Sequence, residues 1–136
     1  MGLNYLLDTN ACIAILKKNS TRLVERVESL PPQQVCVCSV VRAELLYGAM
    51  KSANPQRNLE SLNSLLWGME SHPFDDAAAN EYAVIRQQLE SAGTPIGSND
   101  FIIAAIARSR GLTVVTRNTR EFCRVPNLLV EDWESD

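Results

Sequence analysis

Leu3-Asn4-Tyr5-Leu6-Leu7-Asp8-Thr9-Asn10 is the stretch whose reading decides the fold. Its first residues suit a buried strand, and they run directly into an acid, a hydroxyl and an amide. The apolar segment that follows, Ala11 to Leu16, has helical spacing. A strand that ends in an acid and feeds a helix puts that acid at the carboxyl edge of a sheet, where open α/β structures bind ligands. The same residues also suit simpler work, since Asp8 or Asn10 can cap the helix by accepting from its orphan N–H groups. What separates the two readings is whether other acids reach the same edge.

Downstream, Ala11 to Lys18 reads as a short helix and Ser20 or Thr21 caps a second, which Pro31-Pro32 ends. Gln34-Val35-Cys36-Val37-Cys38 is a nearly continuous run of β-formers, as expected for a strand buried on both faces of a parallel sheet. Ser39 is a natural N-cap for a helix from Val40 to about Lys51. On that helix Glu44 shares a face with Val40 and Tyr47, and a carboxylate there is costly to bury without a partner. After Asn54-Pro55, Gln56 to Glu70 continues as helix, so the pair forms an αα-hairpin with apolar surface to spare for the core, a dimer or a partner. His72-Pro73-Phe74 reads as a turn or short extended segment. Asp75-Asp76 opens a helix to about Ser91, closed by Ala92-Gly93-Thr94-Pro95.

The second informative stretch is Ile96-Gly97-Ser98-Asn99-Asp100-Phe101 and the residues to Ala107. The helix from Phe101 to Ala107 is apolar on every side, which predicts burial all round. Asp100 in its first turn complements the dipole, but an acid at the mouth of a buried helix has little room to point away from the protein. Leu112 to Thr116 is a third buried strand, with Arg117-Asn118 at its edge. Leu128-Leu129-Val130 adds a final strand. The predicted order is β-α-α-β-α-α-α-α-β-β, an α/β fold with a mostly parallel central sheet flanked by helices, in one domain over residues 1–136.

Composition is ordinary for a globular chain, with 46% apolar and 21% charged residues. No apolar run approaches the roughly 20 residues of a membrane span, and Asp8 interrupts the first apolar run, so the expectation is a cytoplasmic protein without a signal peptide. The four cysteines fit no zinc spacing around the single histidine and read as free thiols. A net charge of −3 argues against holding nucleic acid by bulk electrostatics alone.

If the sheet is parallel, Asp8, Glu44, Asp100 and Asn118 all lie near its carboxyl edge. Carboxylates so close repel one another unless a cation neutralises them. Oxygen ligands without His or Cys favour Mg²⁺ or Mn²⁺, and such an ion activates water and stabilises charge in phosphodiester cleavage. Arg108, Arg110, Arg117, Arg120 and Arg124 give this end of the chain a local basic excess that suits phosphates, with Arg117 and Arg120 the candidates for RNA contact, and that equally suits a solvated helix end.

Asp8-Thr9-Asn10, Ser39 followed by Glu44-Leu45, Gly97-Ser98-Asn99-Asp100 leading into Ile103-Ala104-Ala105, and Thr116-Arg117-Asn118 together resemble the motifs of PIN domains. More narrowly, the chain resembles the VapC ribonuclease toxins of bacterial type II toxin–antitoxin modules, over nearly its whole length. Single motifs are weak, but their order and spacing are specific. The resemblance implies a PIN-like fold and a toxic Mg²⁺- or Mn²⁺-dependent endoribonuclease that cuts cellular RNA, transfer RNA among the targets. It also implies a homodimer and neutralisation by a VapB-like antitoxin, with higher-order complexes open. By residue, Asp8 and Asp100 would ligate metal and Glu44 would do so directly or through water. Thr9 and Ser39 would orient these groups, and Asn10 would support the loop. Asn118 stands where many PIN domains carry a fourth acid, which implies one well-bound ion and a second recruited with substrate. Two other readings are a PIN-like module that binds RNA or a partner without cleaving, and a phosphatase with Asp8 as nucleophile. The latter usually wants a second acid two residues on, where this chain has Asn10.

Overall fold

The structure, a computed structural model, describes residues 4–135; Leu3 of the opening stretch lies outside them. Five strands form one sheet in the order β3-β2-β1-β4-β5, and every neighbouring pair is parallel. They are β1 (Tyr5–Leu7), β2 (Val35–Cys38), β3 (Glu70–His72), β4 (Thr113–Val115) and β5 (Leu129–Glu131). Helices α1 (Thr9–Leu16) and α2 (Thr21–Glu28) join β1 to β2, and α3 (Ser39–Met50) and α4 (Pro55–Leu66) join β2 to β3. Then α5 (Asp76–Ser91) and α6 (Ser98–Arg110) lead to β4, and α7 (Thr119–Phe122) precedes β5.

The three inner strands are the ones whose residues are all buried, and they include the apolar runs at Tyr5, Val35 and Val114. Each has sheet neighbours on both sides and so is cut off from water at both edges. The outer strand β3 is Glu-Ser-His and mostly exposed. Its sequence carries no apolar signal, and of the two readings of His72, turn or short extended segment, the extended one holds, as the last residue of an edge strand. Helix α4 stops at Leu66 rather than Glu70, because Trp67 is extended and Gly68 takes a φ of +77°, a region glycine enters without a Cβ penalty.

Helix α6 packs along α5 and is the most deeply buried helix, with Phe101 and Ile103 to Ala107 all inside. It ends at Gly111, whose φ of +67° closes the helix. Ser39 and Ser98 are each the first residue inside their helix; the cap positions are Cys38 and Gly97, neither of which makes a side-chain cap bond. The chain builds outward from β1 to β2 to β3, then crosses back to place β4 and β5 on the other side of β1. The strand order therefore reverses between β1 and β4, and the carboxyl edge at that reversal is where such sheets leave a crevice. No described helix is long and apolar enough to cross a membrane.

Candidate active site

Asp8 leaves β1 at the reversal point. Its N–H donates to the Val115 carbonyl at 3.2 Å, tying the end of β1 to the end of β4. Its Oδ1 accepts from the Ala11 N–H at 2.8 Å, so Asp8 and not Asn10 caps α1. At 4% exposure Asp8 is the one buried acid among the described residues. Burial raises its pKa, with further push from the charges of Glu134 and Glu44; hydrogen bonds from the Thr116 hydroxyl and the Ala11 N–H oppose that rise. The Asn118 N–H in turn donates to Thr116 Oγ1 at 2.8 Å, fixing the hydroxyl that faces Asp8.

Glu44 comes from the middle of α3, whose neighbours Val41 and Leu45 are buried and hold that helix face against the core. The Thr9 hydroxyl donates to Glu44 Oε1 at 2.6 Å, joining the first turn of α1 to α3. Charge-assisted bonds of this length are among the stronger ones. Asp100 enters from the first turn of α6. Burial, followed by the charges of Glu121, Asp8 and Glu44, pushes its carboxyl up to about 6.

Glu121 is the residue that reading the sequence missed. It lies on the short helix α7, its Oε1 accepts from the Gly97 N–H at 3.1 Å, and its Oε2 accepts from Asn118 Nδ2 at 2.6 Å. Asn118 orients this further acid from one turn before it, and the Asn-x-x-Glu spacing at a helix start was the available signal. Gly97 is also close to the site: a Cβ there would stand 3.3 Å from Asp100 Oδ2.

The remaining sequence candidates separate cleanly. Asn10 and Ser39 are exposed and make no side-chain hydrogen bond among the described residues. Arg108 is committed to Glu81 at 2.6 Å and to the Pro126 carbonyl at 3.0 Å. Arg110 pairs with Asp75 at 3.1 Å, and Arg124 donates to the Pro95 carbonyl at 2.8 Å. Arg117 and Arg120 are exposed beside Asn118 and Glu121, with no hydrogen bond to another described residue. Cys12, Cys36 and Cys38 are buried free thiols, and burial pushes Cys38 up to about 11 and Cys36 up to about 12, which keeps them protonated.

Asp8, Glu44, Asp100 and Glu121 thus reach one edge from four separate parts of the chain. None of the influences acting on Asp8 or Asp100 comes from a lysine or arginine. Among the described residues no three His, Cys, Asp or Glu side chains close into a finished ligand shell. A hard divalent cation does not require one, because it binds through one or two carboxylates and keeps several waters. Hard oxygen donors with unbalanced negative charge fit such an ion.

A five-stranded parallel sheet with these acids at its reversal point defines a PIN domain. The PIN-domain family model matches residues 5–128, and the chain belongs to that family. It is 42% identical over 131 residues to the tRNA(fMet)-specific endonuclease VapC of Salmonella typhimurium and 44% identical over 131 residues to that of Shigella flexneri. Each alignment spans 96% of this chain and 98% of the relative. The crystal structure of DNA-bound VapBC from Salmonella typhimurium superposes with a TM-score of 0.91 at 41% identity, covering 97% of this chain and 99% of that one. These relatives place the chain among the VapC ribonucleases.

Proposed function

We propose that this protein is a divalent-metal-dependent endoribonuclease toxin that cuts cellular RNA, with transfer RNA its substrate class, and that a VapB-like antitoxin holds it in check. The observation that carries the reading is the convergence of Asp8, Glu44, Asp100 and Glu121 on one edge, with no lysine or arginine among the groups acting on Asp8 or Asp100. A module that only binds RNA gains nothing from such repulsion. The Salmonella typhimurium and Shigella flexneri relatives are tRNA(fMet)-specific endonucleases, and VapBC pairs are toxin–antitoxin systems. We extend substrate and partner to this chain on that basis, and read it as a cytoplasmic homodimer built from one domain.

Asp8 and Asp100 would hold the ion, Mg²⁺ or Mn²⁺, and Glu44 would hold it directly or through a water. When bound, the cation neutralises phosphate oxygens and favours loss of a proton from the attacking water. The chain's own work is alignment. Thr9 fixes Glu44, Thr116 and the Ala11 N–H fix Asp8, and Asn118 with the Gly97 N–H fix Glu121. Asn10 and Ser39 stand exposed at the starts of α1 and α3, and Arg117 and Arg120 are free to meet phosphate. Induction in bacteria tests the reading. Wild type should arrest growth while Asp8→Ala and Asp100→Ala should not, and co-expression of a VapB-like antitoxin should restore growth. Arrest by both variants would remove these acids from the activity.

A further inference from the structure

Residues 92–97 link α5 to α6 and decide where Asp100 stands. Their first half belongs to α5: the Gly93 N–H donates to the Glu90 carbonyl at 3.1 Å and the Thr94 N–H to the Leu89 carbonyl at 2.9 Å. The second half turns to α7. Arg124 Nη1 donates to the Pro95 carbonyl at 2.8 Å, and the Gly97 N–H donates to Glu121 Oε1 at 3.1 Å. Ile96, between these two points, is 7% exposed and joins the core. Pro95 fixes its own φ and restricts Thr94 before it, so the segment has few other shapes to take.

Both sides of this link are rigid. Phe122 and Val125 are buried around Arg124, whose own N–H donates to the Glu121 carbonyl at 3.0 Å. The Glu121 carboxylate is held in turn by Asn118 Nδ2 at 2.6 Å. Toward α6, the Gly97 carbonyl accepts from the Phe101 N–H at 3.0 Å, a bond of that helix's first turn. A Cβ on Gly97 would stand 3.3 Å from Asp100 Oδ2, so the Asp100 carboxylate lies against the residue that α7 grips. The Arg124 guanidinium makes no other hydrogen bond or ion pair among the described residues. A charged donor on a carbonyl is stronger than a neutral one.

We propose that Arg124 is a positioning residue for RNA cleavage: with Glu121 it clasps residues 95–97 and sets the spacing between Asp100 on α6 and Glu121 on α7. Arg124 bonds to neither carboxylate and acts through the Pro95 carbonyl. Without it the link is gripped from α7 at Gly97 alone, and the two acids are free to shift apart. A misplacement of about 1 Å costs a reaction that depends on aligned groups up to about 100-fold. Arg124 therefore serves the site as part of its frame, whereas Arg117 and Arg120 face outward beside it.

This assignment rests on the ribonuclease reading, and the test separates the two. Arg124→Met keeps the apolar stem and removes every donor, and Arg124→Lys restores one. In metal-free protein, amide exchange at Gly97 followed by NMR should speed about three- to tenfold in Arg124→Met, the scale of one lost hydrogen bond. Mg²⁺ affinity by calorimetry and kcat on a tRNA transcript should each fall by about the same factor or more. RNA affinity by anisotropy in EDTA should stay within about twofold, with its salt slope unchanged. Arg124→Lys should recover most of the exchange protection and of kcat. Arg108→Ala, at the other end of α6, should lose stability yet keep wild-type Gly97 exchange and kcat. Where Arg124→Met fails to fold, Arg124→Gln, whose side chain ends short of Pro95, decides on the same readings. Weaker RNA binding with a salt slope lower by about 1 and kcat intact would make Arg124 a phosphate contact and overturn the clasp. Wild-type exchange and kcat in Arg124→Met, or equal losses in Arg108→Ala, would overturn it too. Wild type that cleaves no RNA in Mg²⁺ overturns the ribonuclease reading, and the positioning role with it, whatever the exchange at Gly97.

Discussion

Replacing Asp100 by Asn should stabilise the metal-free protein even as it disables the site. In the folded chain burial and the charges of Glu121, Asp8 and Glu44 push the Asp100 carboxyl from 3.8 up to about 6. The acid is therefore easier to ionise in the unfolded chain, and ionisation works against folding. Stability associated with Asp100 is fully present below about pH 4 and is lost as the pH rises through about 6. The shift sets a ceiling of about 3 kcal/mol above that window. Asp100 is partly exposed, so solvent screening reduces the expected effect to about 1–2 kcal/mol. For a chain of this length that is a rise in melting temperature of about 3–8 °C. The assay is thermal unfolding by circular dichroism in EDTA, comparing wild type with Asp100→Asn at about pH 7.5 and about pH 3.5. The variant should melt higher at the upper pH, and the difference should nearly vanish at the lower. Adding Mg²⁺ should stabilise wild type much more than the variant, because a ligand that binds only the folded state stabilises it by mass action. A variant that melts no higher than wild type in EDTA at about pH 7.5 would refute the claim that uncompensated negative charge gathers at this edge.

Thr9→Val removes the hydroxyl that holds Glu44 at 2.6 Å, and RNA cleavage should fall about tenfold or more while Thr9→Ser keeps most of it; equal rates for Val and Ser would sink the positioning role. Gly97→Ala places a Cβ 3.3 Å from Asp100 Oδ2, so Mg²⁺ affinity measured by calorimetry should weaken severalfold with little change in melting temperature. Arg108→Ala breaks a pair at 2.6 Å with Glu81 and should cost about 1–3 kcal/mol of stability in urea unfolding. Arg120→Ala should leave stability alone, weaken RNA binding and reduce its salt slope by about 1; a matching stability loss would mean Arg120 is structural.

The sheet's interior was legible in the sequence because inner parallel strands must be apolar on both faces, as Val35 to Cys38 and Val114-Val115 are. The outer strand β3 was not, because its exposed Glu-Ser-His residues need no apolar pattern and take their strand geometry from pairing with β2. Asp8 and Asp100 stood out by position, one at a strand's end and one at the mouth of an apolar helix. Glu121 did not, because beside Arg117, Arg120 and Arg124 it reads as one member of a mixed surface. Only the fold brings its oxygens to Gly97 and Asn118. The arginines were ambiguous for the converse reason: the tertiary partners Glu81, Asp75 and Pro95 decide which are structural, and they lie far away in the chain.

The central claim is that Asp8, aimed by β1 and held by Thr116 and the Ala11 N–H, anchors the cation that drives RNA cleavage. The most direct measurement is cleavage of a tRNA transcript by purified wild type and Asp8→Asn across a Mg²⁺ titration, with Mg²⁺ binding followed by calorimetry on the same samples. The account predicts saturable Mg²⁺-dependent cleavage by wild type, none in EDTA, and a folded Asp8→Asn that neither binds the ion tightly nor cuts. Undiminished cleavage by Asp8→Asn, or by wild type in EDTA, would contradict it.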